Sequence, residues 1–184
     1  MTRISPIKGM SDFGPEGFAG IYMQRPELWQ AFRFHYGILW EHSTLDAMTK
    51  DLCRIKSAFL NGCKMCQVSR ASVARAEGMD EDIVSKVHYF RESDLPLKTK
   101  LVLEFAERWI LDRAYTIDDA LIDQMKEHYT EPQIVEIAIA MGSFEAYHKF
   151  NNAFDVDAPI EVFETGRPSV PADMRQHLEG LGVR

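Results

Sequence analysis

Cys63 and Cys66 stand three apart in the stretch NGCKMCQVSR, at the start of a run with helical spacing. A C-x-x-C pair can be a redox dithiol, half of a metal clamp, or two small apolar residues in a core. On a helix, side chains three apart share a face, so these sulfurs can bridge with little strain on the loop. The first turn of a helix gathers unpaired backbone N–H groups and the positive end of the macrodipole. Both favour the thiolate, the reactive form of cysteine. That argument favours Cys63, the more N-terminal of the two. Arg70, four residues beyond Cys66 on the same face, is expected to hold a thiolate at Cys66. Tetrahedral zinc wants four ligands, and no second C-x-x-C or paired-histidine motif accompanies this one, so no metal site is expected. His42 and His88 are the possible extra ligands, and Cys53 reads as a core residue one helix earlier.

The elements that must position these residues are helical throughout. Pro26 suits the first turn of a helix whose Leu28, Trp29, Phe32, Tyr36 and Leu39 recur at helical spacing. Ser43 or Thr44 is expected to cap the next helix, with Leu45, Met48, Leu52, Ile55 and Phe59 as its apolar stripe. Asn61-Gly62 ends it, and a further helix is predicted from about Cys63 to Glu77, stopped by Gly78. A short helix follows from Asp80 to about Phe90, then a strongly amphipathic one through LKTKLVLEFAERWILDRA. Thr116 with Asp119, and Thr130 with Gln133, have the spacing of capping boxes for two more. In the last, IVEIAIAMGSF is apolar on more than one face, which suits a central helix or one buried between subunits.

These elements predict an all-α, single-domain bundle of about six or seven helices, with an irregular segment over 1–19, a helical domain over 20–154 and an extended tail over 155–184. With 184 residues the chain can bury a sizeable core. Its formal charge of −7 and lack of any basic run argue against a nucleic-acid partner. No stretch approaches the ~20 apolar residues of a membrane span. The N-terminus lacks the apolar core of a secretory signal, and three cysteines do not suggest an extracellular disulfide framework. A cytoplasmic protein is the expectation.

The segment LDAMTKDLCRIKSAFLNGCKMCQVSRASVARAEGMDEDIV resembles the central signature of the alkylhydroperoxidase D-like / carboxymuconolactone decarboxylase family. That pattern has a glutamate-bearing helix leading into Asn-Gly-Cys-x-x-Cys, a histidine four residues after the second cysteine, and an Ala-rich stretch ending in Gly. The likeness extends back to QRPELWQAF and forward through KTKLVLEFAERW to AYHKFNNAF, over roughly residues 20 to 155. The resemblance implies an all-helical protomer assembled as a homotrimer or homohexamer, without a bound organic cofactor. It implies a peroxidase or disulfide oxidoreductase that takes a hydroperoxide as substrate and an external dithiol as reductant. Cys66 is then the attacking thiol and Cys63 the resolving one.

Two positions depart from the pattern. The glutamate is Asp51, one carbon shorter in reach, and the relay histidine is Arg70. Arginine stays protonated and cannot pass a proton as imidazole does, so it can act only through its charge. The plain reading of Asp51 and Arg70 is a salt bridge between two helices, and it stands beside the catalytic one. His42, His88 and His148 are the imidazoles that could replace the missing one, and spacing selects none of them. Trp29, Phe32, Phe34, Tyr36 and Trp40 could line an apolar pocket or simply pack. The same resemblance admits two other functions: a decarboxylase-like enzyme on small organic acids, with Arg70 gripping a carboxylate, or an oligomeric binder without redox activity.

Overall fold

The computed structural model describes residues 2–9, 16–166 and 169–181. Ten α-helices run in order among them: α1 (Glu16–Tyr22), α2 (Pro26–Glu41), α3 (Ala47–Asn61), α4 (Lys64–Val68), α5 (Ser72–Ala76), α6 (Glu81–Ser85), α7 (Leu97–Leu111), α8 (Asp119–Lys126), α9 (Glu131–Phe154) and α10 (Ala172–Gly180). Two three-residue strands, β1 (Ser69–Ala71) and β2 (Phe163–Thr165), pair in parallel with Arg70 opposite Glu164. The molecule is therefore mostly helical, with more and shorter helices than the six or seven expected and with one small sheet.

Helix α3 is the centre of the bundle, packed between α7 and α9. Its apolar stripe buries Leu52 and Ile55 and half-buries Met48 and Phe59, with Leu45 buried just ahead of the helix. Its polar face is buried too: Lys50, Asp51, Arg54, Lys56 and Ser57 are all sequestered from solvent. Burying charge is tolerable only where partners meet it. Lys56 reaches Glu107 at 2.7 Å, Lys50 donates to the Leu39 carbonyl at 2.6 Å, and Arg54 pairs with Asp51 at 2.6 Å. The N-cap of α3 is Asp46, which accepts from the Thr49 N–H, rather than Ser43 or Thr44. Those two residues instead hold Glu136 on α9. The cap of α8 is Asp118 rather than Thr116, whereas Thr130 and Gln133 do form the expected capping box at α9.

Gly62 ends α3 in the left-handed region, at φ +66°, and Cys63 N–H turns back to the Ala58 carbonyl at 2.9 Å. This closing turn returns Cys63 onto the end of α3. The long helix expected from Cys63 to Glu77 is not continuous; it breaks into α4, β1 and α5. Arg54 supplies the reason. Its guanidinium takes the carbonyls of Cys66 (3.0 Å) and Ser69 (2.6 Å), and Asp51 takes the Ala71 N–H (2.8 Å). Those groups are the ones a continuing helix would pair internally, so the chain runs extended through Ser69–Ala71 and accepts β2 alongside.

The tail from 155 is not merely extended, since it contributes β2 and α10. It docks along α2: the Val170 N–H meets Glu41 at 2.8 Å, Arg175 pairs with the same carboxylate, and Phe34 lies edge-on to His177. Gly37 permits this approach, because a Cβ there would sit 2.6 Å from the Val170 nitrogen. Of the N-terminal segment expected to be irregular through residue 19, residues 1 and 10–15 lie outside the described residues, and α1 already begins at Glu16. Arg3 anchors the segment's start by donating to the Phe154, Asn152 and Ala153 carbonyls.

Candidate functional site

α3, α4 and α9 converge on the two thiols. Cys63 is the N-cap residue of α4, fully buried, and Cys66 lies one turn on at 8% exposure. Both are free thiols. Asn151, from the last turns of α9, donates its side-chain amide to both sulfurs, at 3.6 Å to Cys63 and 3.3 Å to Cys66. The Cys66 thiol in turn donates to the Cys63 sulfur. These hydrogen bonds bring the Cys63 thiol down to about 7, with further help from the Arg54 charge. Cys66 moves the other way: its shared proton, its burial and the neighbouring negative charge push it up. The two thiols titrate as a coupled pair, with their surroundings favouring the negative charge on Cys63 over Cys66. Charge therefore sits at the opposite sulfur from the one expected to be ionised, and in the place the helix-start argument favours.

Only Cys66 faces open space. It lies in the wall of a partly open pocket of about 70 Å³. Phe18, Phe32, Tyr36, Trp40, Phe144 and Tyr147 form the apolar wall; Arg54, Ser69, His148, Asn151 and Thr165 are the polar residues of the lining. The rings interlock edge-on and stacked, with Phe32 and Tyr147 centroids at 4.7 Å and Phe32 and Tyr36 at 5.1 Å. Such packing fixes the wall without filling the cavity. Of the five aromatic residues singled out in α2, Phe32, Tyr36 and Trp40 line the pocket, Trp29 packs behind Phe32, and Phe34 turns to the tail. Burial raises the Tyr36 phenol to about 12, so it is neutral and keeps its O–H.

Asp51 and Arg70 do not meet. Asp51 is fully buried and bridges Arg54 to the Ala71 N–H, which makes it a brace under the site. Arg70 turns away from the sulfurs, holds Glu81 through two donors (3.1 and 2.9 Å) and caps the Gln67 carbonyl at 2.7 Å. Arg75 joins the same carboxylate, and Glu81 is held below the usual carboxylate range by Arg70 first. The cation expected at position 70 is supplied to Cys66 by Arg54, whose charge is the one acting on both thiols. Arg54 lies three residues beyond Asp51 on α3, a spacing that marks an ion pair but not its reach into the next element.

Among the three histidines, the structure brings His148 to the site. His88 packs tilted against Phe59 with ring centroids 4.1 Å apart, and His42 caps the end of α2. His148 is 1% exposed, lines the pocket, and bonds through Nδ1 to Ser57 Oγ at 3.0 Å. Burial and the Arg54 charge lower its pKa to about 3, so the ring is neutral. Ser57 had no motif of its own to announce it, and Asn151 was marked only by the family likeness reaching AYHKFNNAF. A further signal is that 144, 148 and 151 share a face of α9, as 54 and 57 nearly do on α3. Among the described residues, no group of three or more His, Cys, Asp or Glu side chains could hold a metal ion.

With that geometry in hand, the likeness to known proteins becomes informative. Residues 26–89 match the model of the carboxymuconolactone decarboxylase family. A protein from Ralstonia eutropha JMP134, described as an alkylhydroperoxidase AhpD core and an uncharacterized peroxidase-related protein, superposes with a TM-score of 0.68 at 19% identity. The match covers 80% of this chain and 78% of that one. The chain has the AhpD-like fold, and its residues 26–89 resemble the carboxymuconolactone decarboxylase family. Among relatives by sequence, the uncharacterized protein YdfG of Bacillus subtilis (strain 168) is 26% identical over 114 residues, 61% of this chain and 78% of YdfG. The apo debrominase Bmp8 shares the fold at a TM-score of 0.66 and 22% identity, with 84% of each chain covered. The family match spans α2 through the turn after α6 and so takes in both thiols, Asp51, Arg54 and Arg70; His148 and Asn151 lie beyond it. No described helix of this AhpD-like chain is long and apolar enough to cross a membrane.

Proposed function

We propose that the protein is a thiol-dependent peroxidase that reduces organic hydroperoxides at Cys66 and resolves the product with Cys63. One observation carries this reading: two free thiols share the Asn151 amide donor, and Cys66 borders a pocket walled largely by aromatic rings while Cys63 is sealed from solvent. Cys66 passes its proton to the Cys63 thiolate and attacks the terminal oxygen of R–O–O–H. An S–O bond forms, the O–O bond breaks with its electron pair on the alkoxy oxygen, and sulfur is oxidised to the sulfenic acid. The alkoxide takes a proton from water and leaves as alcohol. Cys63 then loses its proton and attacks the Cys66 sulfur, forming the disulfide and expelling hydroxide, which is protonated to water. The singly ionised pair, one hydroperoxide and one proton thus give disulfide, alcohol and water. An external dithiol restores the pair by exchange. A homotrimer or homohexamer belongs to the same reading, with Val135 and Ile139, both exposed on α9, as residues for it to cover.

Arg70 does not favour a carboxylate substrate, since its guanidinium is engaged by Glu81 and two carbonyls. The test of the peroxidase reading is to titrate reduced protein with cumene hydroperoxide and count free thiols. Two thiols are lost per peroxide, and Cys63→Ser stops at a Cys66 sulfenic acid that a dimedone probe traps. Peroxide consumption by Cys66→Ser at the wild-type rate would overturn the assignment.

A further inference from the structure

The mechanism above leaves one event without a protein group: negative charge develops on the departing alkoxy oxygen inside an apolar pocket. Arg70, at the position where the family pattern has histidine, is turned to Glu81. Cys63 is sealed behind Cys66, and Asp51 is buried under Arg54. A neutral histidine does border the pocket, and its tautomer can be worked out from its neighbours. Ser57 Oγ accepts from the Asn61 side-chain amide at 3.3 Å and lies 3.0 Å from His148 Nδ1. Among the described residues Nδ1 is the only acceptor placed for the Ser57 hydroxyl proton. Ser57 therefore donates to Nδ1, and the imidazole proton stands on Nε2. His148 is one turn from Asn151 on the same face of α9, which places its ring beside the amide that holds both sulfurs.

We infer that His148, as a neutral imidazole held by Ser57, donates its Nε2–H to the alkoxy oxygen as the O–O bond breaks. This rests on the peroxidase reading and adds a catalytic residue to it. The imidazole keeps its proton; it stabilises the developing charge, and water supplies the proton that completes the alcohol. A neutral ring suits that task, since it presents a donor without placing a second cation beside Arg54. The role differs in kind from a relay histidine, which must exchange its proton each turnover.

The test compares three reactions at Cys66 in full-length wild type, His148→Leu and His148→Gln. An alkyl hydroperoxide expels a strongly basic alkoxide, a peracid expels a carboxylate that needs no donor, and iodoacetamide expels iodide. His148→Leu is expected to slow the alkyl hydroperoxide about a hundredfold, the scale of losing one oxyanion donor. The peracid should slow by less than about tenfold and alkylation by less than about twofold. His148→Gln, which keeps an N–H donor, should recover most of the loss. Equal falls in all three reactions would reveal a structural role and overturn the inference, as would no fall at all. A wild type that is alkylated but unreactive toward both peroxides would overturn the peroxidase reading itself. Nitrogen-15 NMR of the unmodified protein gives an independent answer: the Nε2–H tautomer of His148 supports the assignment, and the Nδ1–H tautomer defeats it.

Discussion

Two sulfurs three residues apart behave differently because each meets different neighbours. Cys63 receives donors from Cys66 and Asn151, and Cys66 receives burial and a negative neighbour. Reaction at Cys66 follows ionisation of the pair, because its proton must have somewhere to go. The alkylation rate at Cys66 should rise with pH through a midpoint about 7 and fall roughly tenfold per unit below it. A rate profile centred on the ordinary thiol value would show that the shared proton is absent. His148 gives a second pH signature, with its own sign. Its folded pKa of about 3 lies below its ordinary 6.5, so between these values the unfolded chain binds the extra proton. Stability contributed by the neutral ring is complete above 6.5 and is lost as pH falls toward 3. Urea unfolding of wild type against His148→Gln across that window should show the variant losing less, by on the order of a few kcal/mol.

At the scale of elements, the determining fact is that α3 uses its polar face to shape the segment that follows the thiols. Arg54 and Asp51 capture the backbone groups of Cys66, Ser69 and Ala71, and the expected helix becomes a helix, a strand and another helix. Replacing Arg54 by Met leaves Asp51 buried without its cation and frees two carbonyls. The expected cost is about 3–5 kcal/mol, measured as a shift in denaturant midpoint. The double change Arg54→Met with Asp51→Leu should recover part of that loss, because the charge left behind is removed with its partner.

For the whole molecule, the pocket is closed by elements far apart in the chain. α1, α2 and α9 supply the aromatic wall, α9 also supplies His148 and Asn151, and the tail supplies Thr165 through the pairing of β2 with β1. Thr165 Oγ1 also donates to the Arg70 carbonyl at 3.2 Å, which joins the tail to the strand that follows Cys66. A chain ending at residue 160 should therefore melt at lower temperature and expose Cys66. The check is differential scanning fluorimetry alongside iodoacetamide labelling, with Cys66 labelled faster in the shortened chain. Unchanged labelling would mean that β2 does not screen the sulfur.

What the residues determined alone was local. Helical spacing gave most of the apolar stripes of α2, α3 and α7, though Leu28 on α2 and Leu111 at the end of α7 are exposed; Gly62 marked the end of α3, Thr130 and Gln133 capped α9, and the C-x-x-C with its flanks carried the family likeness. These follow from contacts within a few positions, where sequence separation and spatial separation nearly coincide. The tertiary structure decided the rest. Arg54 rather than Arg70 faces the thiols, His148 rather than His42 or His88 reaches the pocket, and the charge settles on Cys63. Each depends on which helices pack against which, and burial turns that packing into chemistry by making every hydrogen bond to a sulfur or an imidazole count.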